Sequence, residues 1–342
     1  MKFGVFFLLH SPGARSSAEV YHRVLGQMAY ADELGFDSVW IAEHHFSNYG
    51  YCPDPLALAV KASSVTKRVR IGTAVLVLPF WHPLRLAEAV ALADVLTEGR
   101  LEVGVARGYQ KYEFDRLGLN IEHSRSLSDE TLEILLQALT TIGFSHEGEH
   151  YTIPETTTYP RPVQQPRPPV WLAASTKESM ATAVRHGLSV FTAASTRPLS
   201  VAESAFEAYE AVKRELGAST DGLDFAVQQH VHVAPTDAEA RSRVEQSLWH
   251  YRHSTRLRTS TERVERGLAE DDPLDDEPGL DDLFETHTIA GSPERVREKV
   301  QRYADALGIS QLNCVFALGE LDDDTVRGSM RLFAEHVMPH FK

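Results

Sequence analysis

The sequence predicts a single (β/α)8 TIM barrel, the α/β fold in which eight parallel strands alternate with helices and close on themselves. Two observations predict it. Apolar runs of strand length alternate with segments of helical periodicity along almost the whole chain of 342 residues, which is typical of parallel strands joined by helical crossovers. The eight runs are apolar on both faces, and eight such strands close more readily than they extend as an open sheet. We therefore predict one domain over residues 1–342.

The first βα unit shows how the elements follow one another. An apolar run at 3–9 predicts a strand, Ser16 with Glu19 three residues later predicts a helix N-terminus, and Gly35 predicts its end. The remaining strands are predicted at 38–43, 69–78, 101–106, 170–175, 189–194, 225–234 and 311–318. The remaining helices are predicted at 55–66, 83–96, 124–142, 177–186, 199–216, 237–251, 293–307 and 322–337, with Ser292 before Pro293 as one N-cap.

Two segments, 143–169 and 254–287, break this alternation, and we interpret both as insertions in barrel loops. Within the second, residues 270–285 carry nine acidic side chains and no basic one. Such a stretch cannot form a core, so we expect it to be mobile and solvated. We predict that 254–287 is a lid over the active site.

Composition excludes several classes of function. The formal net charge of −14 argues against binding to nucleic acid or to an anionic membrane, and no apolar run approaches the roughly 20 residues of a membrane span. The run at 3–9 is too short for a secretory signal. The only cysteines are Cys52 and Cys314, which is consistent with a reducing compartment. We expect a soluble cytoplasmic protein.

One motif matches a zinc-binding pattern in sequence but lacks the structural context that the pattern requires. Residues from His146 to His150 match the zinc-protease pattern H-E-x-x-H, which requires both histidines on one face of a helix. Gly143 and Gly148 break the helix here, so we predict a surface hairpin and no metal site. The chain also contains no G-x-G-x-x-G after a strand and no P-loop, which argues against a resident nicotinamide or a nucleotide-hydrolysing site.

Polar side chains directly follow several predicted strands. In a (β/α)8 barrel the carboxyl ends of the strands carry the chemistry. Taken alone, the histidines after the second strand are as easily structural as functional. Two arginines, two hydroxyls and a helix N-terminus at the same rim of an acidic protein, however, favour an anion site. The residues concerned are His44, His45, Arg107, Arg125, Ser175 and Thr176.

These residues and their spacing resemble the luciferase-like monooxygenase family, the flavin monooxygenases typified by bacterial luciferase. The resemblance covers essentially the whole chain, and it rests on the order and spacing of many short motifs. They are Gly35-Phe36-Asp37-Ser38-Val39-Trp40, Glu43-His44-His45-Phe46, Ile71-Gly72-Thr73-Ala74, Leu78-Pro79, His82-Pro83, Leu92-Ala93-Asp94, Gly99-Arg100, Gly104, Arg107-Gly108, Ser124-Arg125 and Val337-Met338-Pro339.

The resemblance implies a cofactor and a reaction. Reduced FMN, delivered by a separate flavin reductase, would react with O2 to give a hydroperoxide that oxygenates an organic substrate. His44 matches the catalytic acid/base position, and His45 is expected to be structural. The phosphate-binding positions are Arg107, Arg125, Ser175, Thr176 and Ser179, and the other cofactor-binding positions are Ala74, Val75, Ala106 and Ala173. The family also implies a cis peptide between Ala74 and Val75.

The chain departs from the light-emitting members at four positions. Ala106 replaces a cysteine beside the flavin, Ala42 and Ala173 replace bulkier apolar residues, and Gln110 replaces a tyrosine. The resemblance therefore implies a roomier pocket and speaks against light emission and a long-chain aldehyde substrate. Epoxidation, hydroxylation, aldehyde oxidation and Baeyer–Villiger insertion all remain open.

Two other functions fit the same barrel, namely a deazaflavin-dependent hydride transferase and a noncatalytic flavin-binding partner subunit. The run of residues 43–46 favours the FMN enzyme, and His44 with the two arginines argues against a noncatalytic subunit. We also expect a homodimer through the predicted helices 55–66 and 83–96, whose small residues permit close packing. These are Ala57, Ala59, Ala62, Ala87, Ala89 and Ala91, which could equally face the barrel.

Overall fold

Eight parallel strands, one of them divided in two, form a closed barrel in a computed structural model that describes residues 1–217 and 222–341. The strands are, in chain order, β1 Lys2–Phe7, β2 Ser38–Ile41, β3 Arg70–Thr73, β4 Leu76–Val77, β5 Leu101–Ala106, β6 Phe144–Glu147, β7 Thr152–Thr156, β8 Val170–Ala173, β9 Ser189–Ser195, β10 Phe225–Val233, β11 Val264–Glu265, β12 Leu268–Ala269, β13 Ile289–Gly291 and β14 Gln311–Val315. The barrel order is β1, β2, β3 with β4, β5, β8, β9, β10 and β14, and β14 pairs with β1 to close it. This confirms the predicted (β/α)8 barrel.

Helices follow most of the barrel strands and cover the outside of the barrel. They are α1 Ser17–Leu34, α2 Pro55–Ser63, α3 Pro83–Leu96, α4 Lys111–Arg116, α5 Ser124–Thr140, α6 Lys177–Arg185, α7 Leu199–Leu216, α8 Asp237–Val244, α9 Ser247–Thr259, α10 Leu280–Asp282, α11 Pro293–Leu307 and α12 Asp323–His336. The caps confirm the sequence signals: Ser16 Oγ accepts from Glu19 N, Gly35 ends α1 with a φ of 82°, and Ser292 caps α11 before Pro293. Among the described residues, no helix has the length and hydropathy needed to cross a bilayer.

Large aromatic side chains fill the inside of the barrel. The ring of Trp40 meets that of Trp171 edge to face at 5.4 Å, and both residues are buried. A Cβ built on Gly72 would lie 2.2 Å from the Trp40 ring, so only glycine leaves room for the indole there. Because the aromatic rings occupy the barrel interior, the open space of the barrel lies at its mouth.

The predicted third strand is divided. β3 pairs with β5 as far as Gly72↔Glu102, and β4 resumes the pairing at Leu76↔Val105. Between these two pairs the third strand advances by four residues, while β5 advances by three. The extra residue is accommodated at a cis peptide between Ala74 and Val75. The cis peptide confirms the prediction.

Several boundaries after the seventh predicted strand differ from the sequence interpretation. The predicted helix 237–251 consists of α8 and α9, which continue to Thr259, so residues 254–259 of the predicted insertion are helical. The expectation that 270–285 is solvated rather than packed is wrong at its end, because Leu283 and Phe284 are buried against Ala290 and neighbouring apolar residues. A short strand that we did not predict, β13, follows and pairs with β10.

The predicted hairpin and the alanine-rich helices can also be compared with the structure. β6 and β7 form an antiparallel hairpin, which confirms the prediction for the H-E-x-x-H segment. In α2 and α3, four of the six alanines, Ala59, Ala62, Ala87 and Ala91, are fully buried within the chain. These four therefore pack against the protein's own core and offer no contact to a second chain.

Candidate active site

A cavity of about 750 Å³ opens at the mouth of the barrel, a size within the roughly 300–1,000 Å³ range of small-molecule sites. Its walls come from the carboxyl ends of the strands and the segments that follow them, because parallel strands bring those ends to one rim. All ten residues predicted for the site line this one cavity. They are His44, Ala74, Val75, Ala106, Arg107, Arg125, Ala173, Ser175, Thr176 and Ser179.

One glycine lets the strands below the cavity approach closely. A Cβ built on Gly104 of β5 would lie 2.0 Å from the Thr73 carbonyl oxygen. Instead, Gly104 N donates to Thr73 Oγ1 at 3.0 Å, and Thr73 Oγ1 donates to the Gly104 carbonyl at 2.9 Å. This contact fixes β3 against β5 directly before the cis peptide, so Ala74 and Val75 have a defined place in the cavity wall.

Two arginines give one part of the cavity a positive charge without a matching ion pair. Arg107 follows β5 and Arg125 lies in the first turn of α5, and neither forms an ion pair or hydrogen bond within the described part of the chain. Burial lowers the pKa of Arg107, the charge of Arg125 lowers it further, and Asp129 opposes the shift. Burial raises the pKa of Asp129, while the charges of Arg125, His186 and Arg107 oppose this shift. The arrangement favours an incoming anion.

The N-terminus of α6 adds uncharged donors to the same cavity. Thr176 caps the helix: its Oγ1 accepts from Ser179 N at 3.3 Å, while Ser179 Oγ accepts from Thr176 N at 3.2 Å. Ser175 directly precedes this cap and is exposed to the cavity. Helix N-termini with free amides and hydroxyls bind phosphates, so these residues suit the same anion as the arginines.

His44 is held through one ring nitrogen. Its Nδ1 lies 3.2 Å from Glu113 Oε1 and 3.0 Å from Gln110 Nε2, and its ring meets that of Tyr49 edge to face at 4.8 Å. Glu113 is buried and also accepts from His45 N at 2.8 Å. With Nδ1 engaged, Nε2 is the nitrogen available to a bound molecule in the cavity.

His45 has a different partner. Its Nε2 lies 3.0 Å from Glu43 Oε1, and the other carboxylate oxygen of Glu43 accepts from Val77 N at 2.8 Å and from Trp81 Nε1 at 3.3 Å. Burial opposes the charged form of His45, but the hydrogen bond and charge of Glu43 outweigh it and raise the pKa of His45. Glu43 thus links the end of β2 to β4, and His45, its partner, does not line the cavity.

Sequence reasoning missed several cavity residues. Glu113 lies on the short helix α4, which has no clear periodicity to predict it. Arg197 follows β9 at the same rim as the predicted residues, so the strand-end rule could have found it. Arg258 lies at the end of α9, a helix that the sequence interpretation stopped too early.

A group of buried aromatic residues beside the cavity was also missed. The rings of His230 and His250 are 4.8 Å apart, and the ring of Tyr49 stacks on His250 at 5.7 Å. Burial lowers the pKa of His230 to about 3 and that of His250 well below its ordinary value, so both are neutral. The run of polar residues inside the otherwise apolar β10 was the available signal.

The histidines of the H-E-x-x-H segment lie outside this site. His146 Nε2 is 3.1 Å from Glu130 Oε1, and His150 Nε2 is 2.8 Å from Ser126 Oγ. Glu130 also accepts from the backbone N–H groups of His150 and Tyr151 at 2.8 Å each. These contacts attach the hairpin to α5 and are structural.

Comparison with known proteins identifies the family. Residues 1–310 match the family model for luciferase-like monooxygenases. The chain is 25% identical to the oxygenase component of the flavin-dependent trigonelline monooxygenase of Acinetobacter baylyi, covering 100% of this chain and 96% of that protein. It is 27% identical to the alkanal monooxygenase alpha chain of Photorhabdus luminescens, covering 100% and 98% of the two chains. The crystal structure of monooxygenase RslO1 from Streptomyces bottropensis superposes with a TM-score of 0.87 at 27% identity, over the whole of both chains. The chain is therefore an enzyme of the luciferase-like monooxygenase family.

Proposed function

We propose that this chain binds reduced FMN and uses O2 to oxygenate an organic substrate. The observation that carries the proposal is that one cavity combines an unpaired arginine pair beside a helix N-terminus with a histidine held through Nδ1. The first feature suits the phosphate of a flavin nucleotide, and the second suits proton transfer next to the reacting group. The flavin-dependent oxygenase component among the relatives supports the same reading.

The residues present fit the cofactor. Arg107 and Arg125 would hold the phosphate with the hydroxyls and amides of Ser175, Thr176 and Ser179, because charge-assisted hydrogen bonds to phosphate are the strong ones. The apolar part of the cofactor would lie against small side chains at the strand ends, namely Ala74, Val75, Ala106 and Ala173. When bound, the reduced flavin supplies the electrons that activate oxygen.

His44 is assigned the acid/base role. With Nδ1 against Glu113, the imidazole presents Nε2 to the cavity. An imidazole can donate or accept a proton near neutral pH. Glu113 is buried at the cavity wall and fixes the orientation of the ring through Nδ1, so we regard it as a positioning residue.

We propose that residues 254–287 cover the mouth as a lid, and that 143–169 is a surface insertion. The hairpin of β11 and β12 rests on the loop after His44: Asn48 N donates to the Gly267 carbonyl at 2.8 Å, and Ala269 N donates to Asn48 Oδ1 at 2.9 Å. Exclusion of water protects a reactive oxygenating species, and a cover attached to this loop would provide it.

The enzyme needs partners. We propose that a separate flavin reductase supplies the reduced FMN, as the term oxygenase component implies for the trigonelline enzyme. We also propose a homodimer through α2 and α3, carried by exposed apolar side chains rather than by the buried alanines; these are Leu92, Val95 and Leu96 on α3 and Val65 just after α2. The two buried free thiols, Cys52 and Cys314, support a location in the reducing cytoplasm.

Titration of the purified protein with reduced FMN and, separately, with reduced deazaflavin tests the assignment. Oxygen uptake is followed in both experiments. Binding of reduced FMN with accelerated oxygen uptake supports the proposal. Preference for the deazaflavin with no oxygen uptake would identify a hydride transferase, and flavin binding without any effect on oxygen would identify a noncatalytic subunit.

A further inference from the structure

The cavity contains a second pair of arginines that the cofactor assignment does not use. Arg197 follows β9, and Arg258 lies in the last turn of α9. Both line the cavity, and neither side chain forms an ion pair or a hydrogen bond with the residues that the structure describes. Burial lowers the pKa of Arg197, and the charge of Arg258 lowers it further. The two guanidinium groups thus share the cavity, and neither has a counterion among the described residues.

The neighbours of Arg258 on α9 show that acidic partners are within reach of this helix. Arg252 forms two hydrogen bonds to the carboxylate of Glu277, at 2.7 Å and 2.8 Å. Arg256 donates to the carbonyl of Glu270 at 3.2 Å and to the carbonyl of Asp272. In a chain with 48 acidic and 34 basic residues, Arg258 has no carboxylate partner among the residues that the structure describes. The unpaired charge is therefore a property of the cavity.

The second pair lies near His44 rather than near Arg107 and Arg125, where we place the phosphate. The guanidinium of Arg258 lies over the ring of Tyr109, 4.9 Å from its centre. Tyr109 Oη accepts from Gln110 Nε2 at 3.2 Å, and the same nitrogen lies 3.0 Å from His44 Nδ1. The pKa of Arg107, in contrast, is shifted by the charges of Arg125 and Asp129. The cavity therefore has two separate cationic regions.

We propose that Arg197 and Arg258 bind a carboxylate of the organic substrate, so that the enzyme acts on small organic carboxylates. The planar guanidinium forms paired hydrogen bonds to a carboxylate, and partial desolvation in a cavity strengthens them. Binding the anion here leaves the rest of the substrate beside His44. The inference rests on the proposed function, because it assumes that the other arginine pair is occupied by the flavin phosphate.

Matched pairs of small probes test the inference. Benzoate and benzamide, and nicotinate and nicotinamide, differ only in the charged group and are small against a cavity of about 750 Å³. Their affinities are measured by calorimetry without oxygen, once with excess reduced FMN and once without flavin. The double variant Arg197→Met, Arg258→Met is compared with wild type. Arg263→Met is the control, because Arg263 carries the same charge, lies outside this cavity and has a side chain 75% exposed.

We expect wild type and the control variant to bind each carboxylate roughly tenfold to a hundredfold more tightly than its amide, the range typical of hydrogen bonds to charged groups. The double variant should lose this preference and retain its affinity for reduced FMN. Equal affinity for acid and amide in wild type would overturn the proposal, as would an equal loss in Arg263→Met. Loss of FMN affinity in the double variant would show that these arginines hold the cofactor instead. If reduced FMN does not bind wild type at all, the proposed function fails, while the titrations without flavin still decide whether the carboxylate site exists.

Discussion

Acid should destabilise this protein at a pH where most carboxylates are still ionised, because three histidines are buried in neutral form. Burial lowers the pKa of His10 and of His232 to about 4 and that of His230 to about 3. All three lie close to β10 or the cavity that it borders. In the unfolded chain an exposed imidazole takes up a proton at about pH 6.5.

The direction of the pH dependence follows from the number of protons that the folded and unfolded states bind. Between about pH 6.5 and 4 the unfolded chain binds protons that the folded protein does not, so the free energy of unfolding falls as the pH falls. Above about pH 6.5 both states carry neutral imidazoles, and the contribution is constant. Each buried histidine contributes a slope of about 1.4 kcal/mol per pH unit, which amounts to a loss of about 2 kcal/mol at pH 5.

The substitution His230→Leu isolates one of these contributions. Neither ring nitrogen of His230 has a hydrogen-bond partner among the described residues, so the change removes no such bond. From urea unfolding at pH 8 we expect a free energy of unfolding within about 1 kcal/mol of wild type. At pH 5 the variant should exceed wild type by about 2 kcal/mol, because one linked proton is gone.

The substitution His22→Leu serves as the control, since it makes the same change at an exposed position on α1. Contributions from carboxylates are common to all three proteins and cancel in the comparison. Parallel pH profiles for wild type and His230→Leu would refute the reasoning. Such a result would mean that the imidazole keeps its proton in the folded protein, or that unfolding leaves it buried.

Four further predictions concern the active site and assembly. His44→Ala should lower turnover by about a hundredfold to ten-thousandfold while reduced flavin still binds, as measured by steady-state oxygenation and anaerobic titration. Near-normal oxygenation would rule out the assigned role. Arg107→Ala should weaken flavin affinity, with turnover partly restored at high flavin concentration, because a phosphate contact contributes to binding throughout the cycle; an unchanged flavin affinity would contradict it. Deletion of residues 270–279, which spares the buried Leu283 and Phe284, should raise the release of uncoupled hydrogen peroxide while the barrel stays folded by circular dichroism, and unchanged coupling would exclude a lid. Light scattering should give a dimer of the 38.1 kDa chain and a monomer for Leu92→Glu, since Leu92 is 48% exposed on α3; a monomeric wild type at micromolar concentration would exclude the interface.

The eight barrel strands could be predicted because each is a short apolar run between polar turns, and burial on both faces requires that composition. The division of the third barrel strand leaves no mark in the hydrophobic pattern, since residues 74 and 75 are as apolar as their neighbours, and only the family resemblance indicated the cis peptide there. The break between α8 and α9 was missed for a related reason. Neither glycine nor proline marks it, and Arg243 and Gln246 are common inside helices.

The strand-end rule found the residues that follow β2, β5 and β8, because the position of a strand fixes where its end must lie. It could not find Glu113 or Arg258, which reach the cavity from helices whose docking depends on contacts far along the chain. Glu113 approaches His44 across 69 positions of sequence. Such a contact depends on closure of the barrel and leaves no local pattern.

The carboxylates near the cavity explain how an acidic chain keeps a cationic pocket. Glu43 is engaged by His45 and by the Val77 and Trp81 N–H groups. Glu113 is engaged by His44 and the His45 backbone.

Deeper in the barrel, Glu102 accepts from Trp171 Nε1 at 2.7 Å and pairs with Arg70. Each of these three carboxylates is already engaged by donors, and none of them forms an ion pair with an arginine at the mouth among the described residues. The buried histidines are neutral and add polarity without adding charge. Asp129 is the carboxylate that remains beside Arg107 and Arg125, and its single negative charge does not balance two guanidinium groups, so a bound anion can neutralise the remainder.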